Sequence, residues 1–158
     1  MDSLREQLLD AWRTNNRINL LLLDHITEEG LCCTLSTRGG RDVARQLAHL
    51  HNVRIWHLEK RAKDLVGDLE TFPSKESPSR ERLADALTAS ALAIETFLVD
   101  VLEEQPRRRG FKKGVFTTLA YFVAHESHHR GSILLTLKQS GHAVARDVAY
   151  GIWDWDRR

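Results

Sequence analysis

The sequence predicts an all-α fold, a four-helix bundle, on three observations. Its three prolines are confined to Pro73, Pro78 and Pro106, which leaves four long stretches without proline. Apolar residues recur in each stretch at spacings of three and four, the period of an amphipathic helix, and no stretch shows strand-like alternation. Four helices of roughly 25 residues with connectors of moderate length are typical of a helical bundle. A chain of 158 residues is expected to form one domain, spanning 1–158.

The first helix is predicted over about 3–28, with Gly30 as its stop signal. The second is predicted to start at Asp42, a residue type suited to cap a helix, and to end near Val66 before Gly67. Apolar residues of this second helix spread around more than one face. That pattern indicates a helix covered on two sides, by its own bundle and by a second subunit.

The third helix is predicted to begin at Ser77 and Pro78, a cap followed by proline at the first helical position, and to reach about Glu104. The fourth is predicted over about 115–140, ending at Gly141. A short aromatic tail, VAYGIWDWDRR, follows at the C-terminus. Its two tryptophans, Trp153 and Trp155, are expected to cover the open end of the bundle core.

Charge and composition exclude two classes of partner. The 23 basic residues nearly balance the 22 acidic ones, whereas nucleic-acid binding normally needs a basic face. No apolar run approaches the length needed to span a membrane, and no signal peptide is evident. The two cysteines, Cys32 and Cys33, are adjacent, a poor arrangement for a structural disulfide, and are expected to be buried in a reducing compartment. We therefore expect a cytoplasmic protein that binds neither nucleic acid nor membrane.

The segment HESHHRGS, residues 125–132, carries the clearest chemical signal. His125 and His129 are four residues apart, which places both imidazoles on one face of a helix, close enough to bind one metal ion. His128 points away from that face. HESHH resembles the HExxH string of metalloproteases, but that string alone is a weak signal and a bundle offers no substrate-binding strand.

A third ligand is expected from the second helix, whose segment AHLHNVRIWHLEK contains His49, His51 and His57. Facing helices of a bundle often build such sites together. Three protein ligands with an open position form a catalytic type of site, whereas four closed ligands form a structural one. Helical phase favours an inward-facing His51, and periodicity leaves His49 and His51 as equal candidates.

These segments, together with the terminal GIWDW, resemble the DinB/YfiT-like superfamily of damage-inducible-type four-helix proteins along the whole chain. The resemblance rests on the histidine pair followed by Arg130 and Gly131, and on LAHL at 47–50. It implies a metal triad of His49, His125 and His129, and so selects His49 over His51. It also implies a homodimer.

The resemblance further implies a metal-dependent thiol transferase or hydrolase that acts on a small molecule, with a low-molecular-weight thiol as a possible second substrate. Imidazole ligation suits zinc, nickel, cobalt, copper or iron without strong selection, and zinc or nickel is the divalent ion expected. Glu126 is expected to act as a general base or to orient a ligand imidazole. The alternative function is a non-catalytic metal-binding or stress-response interaction module. DNA repair, which the superfamily name suggests, has no support in the charge balance.

Overall fold

The computed structural model describes residues 3–158 and confirms an all-α four-helix bundle, with no strand within that range. The four long helices are α1 (Leu4–Asp24), α3 (Val43–Arg61), α4 (Arg80–Leu102) and α5 (Val115–Gln139). Short helices α2 (Glu28–Leu31) and α6 (Arg146–Gly151) and two 3-10 turns (Lys63–Leu65 and Trp155–Arg157) complete the secondary structure. No helix in the described part of the chain is long and apolar enough to cross a membrane.

Side-chain caps fix where the helices begin. The Asp42 carboxylate accepts a hydrogen bond from the Arg45 amide at 2.8 Å, so the predicted start of α3 is confirmed. The predicted start of α4 is wrong by two residues. Ser79 is its cap and accepts a hydrogen bond from the Arg82 amide. The Ser77 hydroxyl instead donates to Asp42 and so holds the connector, the segment 62–79 between α3 and α4, against the start of α3.

Gly30 is not the stop signal of the first helix. That helix ends at Asp24, and Gly30 lies within α2, which the Thr27 side chain caps by accepting from the Gly30 amide. A Cβ at Gly30 would lie 3.0 Å from the side chains of Ile26 and Leu137. A larger residue would require these side chains to shift, so Gly30 suits the close packing of α2 against the bundle. The predicted first helix over 3–28 is therefore two helices, α1 and α2.

A glycine with positive φ follows the C-terminal end of both α3 and α5. α3 ends at Arg61, short of the predicted Val66, and the 3-10 turn carries the chain on to Gly67 with φ +52°. α5 ends at Gln139, one residue short of the predicted Ser140, and Gly141 follows with a φ of +79°, the left-handed conformation that favours glycine. The next amide, of His142, donates back to the Leu137 carbonyl at 2.9 Å, which closes the last turn.

Two apolar clusters fill the bundle, one at each end. One combines the C-terminal halves of α1 and α5 with the N-terminal halves of α3 and α4, and the other combines the opposite halves. α1 and α5 therefore run in one direction, and α3 and α4 run in the other. In the second cluster the Trp12 indole is fully buried and donates to the Ala91 carbonyl at 2.9 Å.

A polar network lies between the two apolar clusters and joins all four long helices. Arg54 of α3 is 0% exposed and donates to Glu126 of α5 through Nε at 2.7 Å. Its other nitrogens donate to the Leu87 carbonyl of α4 at 2.8 Å and to Asn16 of α1 at 2.9 Å. A buried charge is tolerated only when it is paired and hydrogen-bonded, and this guanidinium meets both conditions.

Most of α3 is buried within its own chain. The buried residues occupy several faces and include His51, Asn52 and Arg54 as well as the apolar positions. The apolar breadth that suggested a covering subunit is therefore satisfied by α4, α5 and the connector. The two cysteines are free, and Cys32 is exposed rather than buried as expected.

The aromatic tail packs on the bundle through residues other than its tryptophans. Val148 and Ile152 are 5% and 6% exposed, whereas Trp153 is 73% exposed and Trp155 is 38% exposed. The expectation that both tryptophans cover the core end is wrong, because the turn after α6 directs Trp153 away from the core.

The buried network generates a prediction about stability. Glu126→Ala leaves the buried Arg54 without its carboxylate partner, so we expect the free energy of unfolding to fall by about 3–5 kcal/mol. The matched control is Glu103→Ala, which removes an exposed ion pair with Arg5 and should cost about 0–1 kcal/mol. Urea denaturation of the metal-free proteins measures both. Equal losses for the two variants would contradict the assigned role of the network.

Candidate metal centre

Three histidine side chains from two helices converge at the surface of the bundle. His49 of α3 and His125 and His129 of α5 each offer a ring nitrogen, and these three atoms all lie within 4.8 Å of one another. The ring centroids are 5.4 Å apart for His49 and His125, 4.9 Å for His49 and His129, and 4.8 Å for His125 and His129. A group of this size could hold one metal ion.

The helical period explains how α5 divides its side chains between the site and the core. His125 and His129 lie one turn apart on the outer face, toward α3. Glu126 and Arg130, each one residue later, are buried and face α1 and the bundle interior. The same short segment therefore supplies both the imidazoles and the buried network.

Burial keeps these imidazoles neutral. Desolvation lowers the pKa of His49 to about 4, with a further contribution from the positive charge of Arg41. Desolvation likewise lowers the pKa of His129 to about 4, followed by repulsion from His125 and His49. The pKa of His125 is also lowered, chiefly by desolvation, although the Glu126 charge opposes the shift. Neutral imidazole is the form that binds a metal ion.

The donor set fits a borderline divalent ion. Imidazole nitrogens suit zinc, nickel, cobalt, copper and iron. The Nδ1 atom of His125 is buried and has no hydrogen-bond partner among residues 3–158. Buried polar atoms are normally satisfied, so an unpartnered ring nitrogen in the middle of a histidine group is consistent with a place for a cation.

The other histidines of the two helices lie elsewhere. His51 is buried on the side of α3 that faces α4 and the connector, and its ring nitrogens lie 2.9 Å from the carbonyl oxygens of Ala86 and Glu70. His57 is surrounded by aromatic rings, with centroids 4.9 Å from Tyr121 and 5.3 Å from Phe122. His128 is exposed, as its phase on the helix predicts.

Glu126 does not face the histidine group. Its carboxylate is fully enclosed and accepts hydrogen bonds from Asn15 at 2.6 Å, from Asn19 at 2.7 Å and from Arg54 at 2.7 and 3.0 Å. Desolvation would raise its pKa, but the charge and hydrogen bonds of Arg54 outweigh it, and the pKa is lowered. The carboxylate is therefore ionised, and its oxygens are engaged inside the bundle.

Two clefts meet at the histidine group, with His49 and Trp56 lining both. One, of about 290 Å³, also contains Arg41, Arg45 and a wall formed by the connector at 71–74. The other, of about 400 Å³, is more aromatic and contains His57, Tyr121 and His125. The Trp56 ring is 48% exposed and meets His49 edge to face at 5.8 Å, so this side chain separates the two clefts.

Several residues around the site were not identified from the sequence. Tyr121 lies one turn before His125, and its ring stacks nearly parallel to that histidine at 6.0 Å. A helical wheel of α5 could have placed it there. Asn52 exchanges hydrogen bonds of 2.9 Å with the backbone of Phe72 and so holds the connector beside His49. No pattern in the sequence indicates that the connector folds back beside His49.

The fold and the site together define an all-α bundle with a surface group of three histidines that could hold a metal ion. Comparison with protein families agrees with this description. The model of the DinB family matches residues 1–155, and the chain therefore belongs to the DinB family. No curated protein and no solved structure matches the chain.

The histidine group generates a prediction about stoichiometry. We expect the purified, untagged protein to bind one equivalent of zinc or nickel. His49→Ala and His125→Ala each remove one of three donors, so they should weaken binding by more than the 10–100-fold loss typical of an outer-sphere substitution, on the order of 100-fold or more. His128→Ala, a neighbour of His129 outside the group, is the matched control and should bind normally. Calorimetric titration measures all four proteins, and loss of binding in His128→Ala alone would contradict the assignment.

The low pKa values generate a prediction about pH. Protons compete with metal only when the imidazoles can be protonated, and here that requires pH values approaching about 4 for His49 and His129. We expect the metal affinity to change little between about pH 7.5 and pH 6. Three ordinary histidines with pKa values near 6.5 would lose about fifty-fold over that range. A loss of that size in a non-coordinating buffer would contradict the neutral state of these half-buried imidazoles.

Proposed function

We propose that this protein holds a divalent metal ion at His49, His125 and His129 and uses it to activate a low-molecular-weight thiol for transfer to an electrophilic small molecule. The observation that carries the proposal is that the group of three imidazoles lies beside two open clefts, both lined by His49 and one also by His125. Within residues 3–158 the group contains three ligands, the number typical of catalytic sites, whereas structural sites are closed by four.

A bound divalent ion lowers the pKa of a thiol or water and so supplies a nucleophile at neutral pH. A ligand set made of imidazoles alone suits zinc, nickel, cobalt, copper or iron, and we propose zinc or nickel as the ion. The protein's own part is to present three neutral donors on two helices whose relative position is fixed. Because the imidazoles carry no charge, the ion would keep its full charge toward the open side.

The two clefts give each partner of a transfer reaction its own place. The cleft beside Tyr121 is lined by aromatic rings and by Val53, which suits an apolar or aromatic electrophile. The cleft beside Arg41 is polar. Trp56 stands between them, with an exposed edge that could contact both substrates near His49.

We infer that Glu126 serves this site as a positioning residue rather than as its base. A general base must reach the proton that it removes, and both carboxylate oxygens of Glu126 are engaged by Arg54 and two asparagines. By anchoring α5 to Arg54 of α3, Glu126 fixes the distance between His125 and His49. Its replacement should therefore affect metal affinity through stability.

The homodimer implied by the resemblance remains a prediction. Exposed apolar side chains occur on α4 and α5, among them Leu92, Phe116 and Leu135. Light scattering coupled to size-exclusion chromatography will give the mass in solution, and a dimer should show twice the 18.1 kDa of one chain.

The proposed activity is tested by thiol conjugation of an electrophilic fluorogenic probe, such as a chlorobimane. We expect conversion that needs both metal and a small thiol, that is abolished in His125→Ala and that is retained in His128→Ala. Hydrolysis of small esters and amides should be measured in the same samples, since a metal-bound water would give that activity instead. A protein that binds stoichiometric metal but shows neither thiol conjugation nor hydrolysis would contradict the proposed enzymatic activity. That result would favour a non-catalytic metal-binding module.

A further inference from the structure

The cleft beside Arg41 is built from cationic and neutral donor groups. Arg41 precedes the cap of α3, and Arg45 lies on its first turn, so both guanidinium groups are carried by the positive end of a 19-residue helix. Asn52, Thr71 and Ser74 add neutral polar groups to the lining, and its apolar part includes Phe72 and Pro73. This cleft opens directly onto His49.

Arg45 is held in a fixed position without a carboxylate partner. Its Nε donates to the Ser74 carbonyl at 3.0 Å, and its Nη1 donates to the Gly40 carbonyl at 3.4 Å. These are neutral acceptors, so they orient the guanidinium without cancelling its charge. In the described part of the chain, Nη2 of Arg45 has no acceptor.

Arg41 extends the same positive charge toward the histidine group. Its side chain is exposed, and within the described residues it forms no hydrogen bond or ion pair. It lines the same cleft as His49, and its positive charge lowers the pKa of His49, His125 and His129. That charge would also repel a cation held at the histidine group, and an anion bound in the cleft would offset the repulsion.

The acidic side chains near this cleft are already engaged. Glu76 lines it, but its carboxylate pairs with Arg82, whose guanidinium lies over the Phe72 ring. Asp42 accepts from the Arg45 amide and from the Ser77 hydroxyl. Glu126 faces the opposite side of α5 and pairs with Arg54. The cleft would therefore combine two arginines with a divalent ion and lacks a free carboxylate among the residues described.

We propose that Arg41 and Arg45 form a carboxylate-binding subsite, so that the thiol activated at this centre is an anionic one whose carboxylate lies in the cleft beside Arg41 while its sulfur reaches the metal. The proposal rests on the metal-dependent thiol chemistry proposed above and adds the class of thiol. Guanidinium groups bind carboxylates through paired, charge-assisted hydrogen bonds, which provide orientation as well as affinity. A thiol held at both ends would present its sulfur in one position relative to the aromatic cleft.

The test compares two thiols of similar length on the cobalt(II)-loaded protein, 3-mercaptopropionate and the neutral 3-mercapto-1-propanol. Thiolate binding to cobalt produces a charge-transfer absorption, so each dissociation constant can be read by titration without turnover. We expect the wild type to bind the acid at least about tenfold more tightly than the alcohol, as two charge-assisted hydrogen bonds would give. Arg41→Ala with Arg45→Ala should remove this preference and leave the alcohol unaffected.

Controls separate a specific subsite from general charge and from folding. Arg38→Ala removes the same charge from the same loop at a position outside the cleft, and should keep the preference. Arg41→Ala alone removes a side chain with no hydrogen bond in the described structure, so it should fold normally and lose part of the preference. Arg41→Lys should retain more of it than Arg41→Ala.

The outcomes distinguish this proposal from the one on which it depends. Equal affinities of the wild type for the two thiols, or a preference that survives in the double variant because the carboxylate binds cobalt itself, would overturn the subsite and leave the metal centre intact. A cobalt-loaded protein that binds neither thiol would overturn both proposals, as would a protein that binds no cobalt.

Discussion

The paired charge of Arg54 at the centre of the bundle is the constraint on which the other features depend. Its guanidinium meets Glu126 of α5, the Leu87 carbonyl of α4 and Asn16 of α1, and its plane lies 4.9 Å from the Trp12 ring. Leaving such a buried charge unpaired would cost several kcal/mol, so a sliding or rotation of any one helix is opposed by the whole network. Apolar packing alone is less selective, because hydrophobic side chains of similar volume can often exchange places.

The position of the histidine group follows from that constraint. α5 places Glu126 and Arg130 in the interior, and its period then turns His125 and His129 toward the surface beside α3. On α3, Arg54 points inward, and His49 lies more than one turn earlier on the outer side. The same two helices carry the ion pair and the imidazoles. The ion pair fixes the relative position of the helices and therefore also that of the imidazoles. A site on rigid elements has the positional precision that metal coordination requires.

The sequence was informative where local spacing decides the structure and uninformative where distant segments meet. The four helices followed from periodicity and proline positions, and the i,i+4 spacing paired His125 with His129. The helical phase of α3 correctly indicated that His51 faces inward. An inward-facing position was the wrong criterion for a metal ligand, however, because the histidine group lies at the surface. The ring of His51 instead faces two backbone carbonyls. Resemblance to the family, rather than periodicity, selected His49.

The features that local spacing does not indicate are contacts between distant segments. Glu126 lies between two candidate ligands in the sequence, but its hydrogen-bond partners are on α1 and α3. Arg54 is enclosed because α1, α4 and α5 together supply its acceptors, and no local pattern in the sequence indicates that arrangement. The connector beside His49 is held by Asn52 and His51, contacts between segments about 20 residues apart that no local pattern indicates.

The central claim, that His49, His125 and His129 together bind one ion with an open side, is tested most directly by X-ray absorption spectroscopy of the zinc- or nickel-loaded protein. We expect three imidazole nitrogens with their characteristic multiple scattering, together with light oxygen scatterers from solvent. In the same measurement on the protein with a small thiol added, a sulfur neighbour should replace an oxygen. A first shell with fewer than three imidazoles, or one closed by four protein ligands, would contradict it.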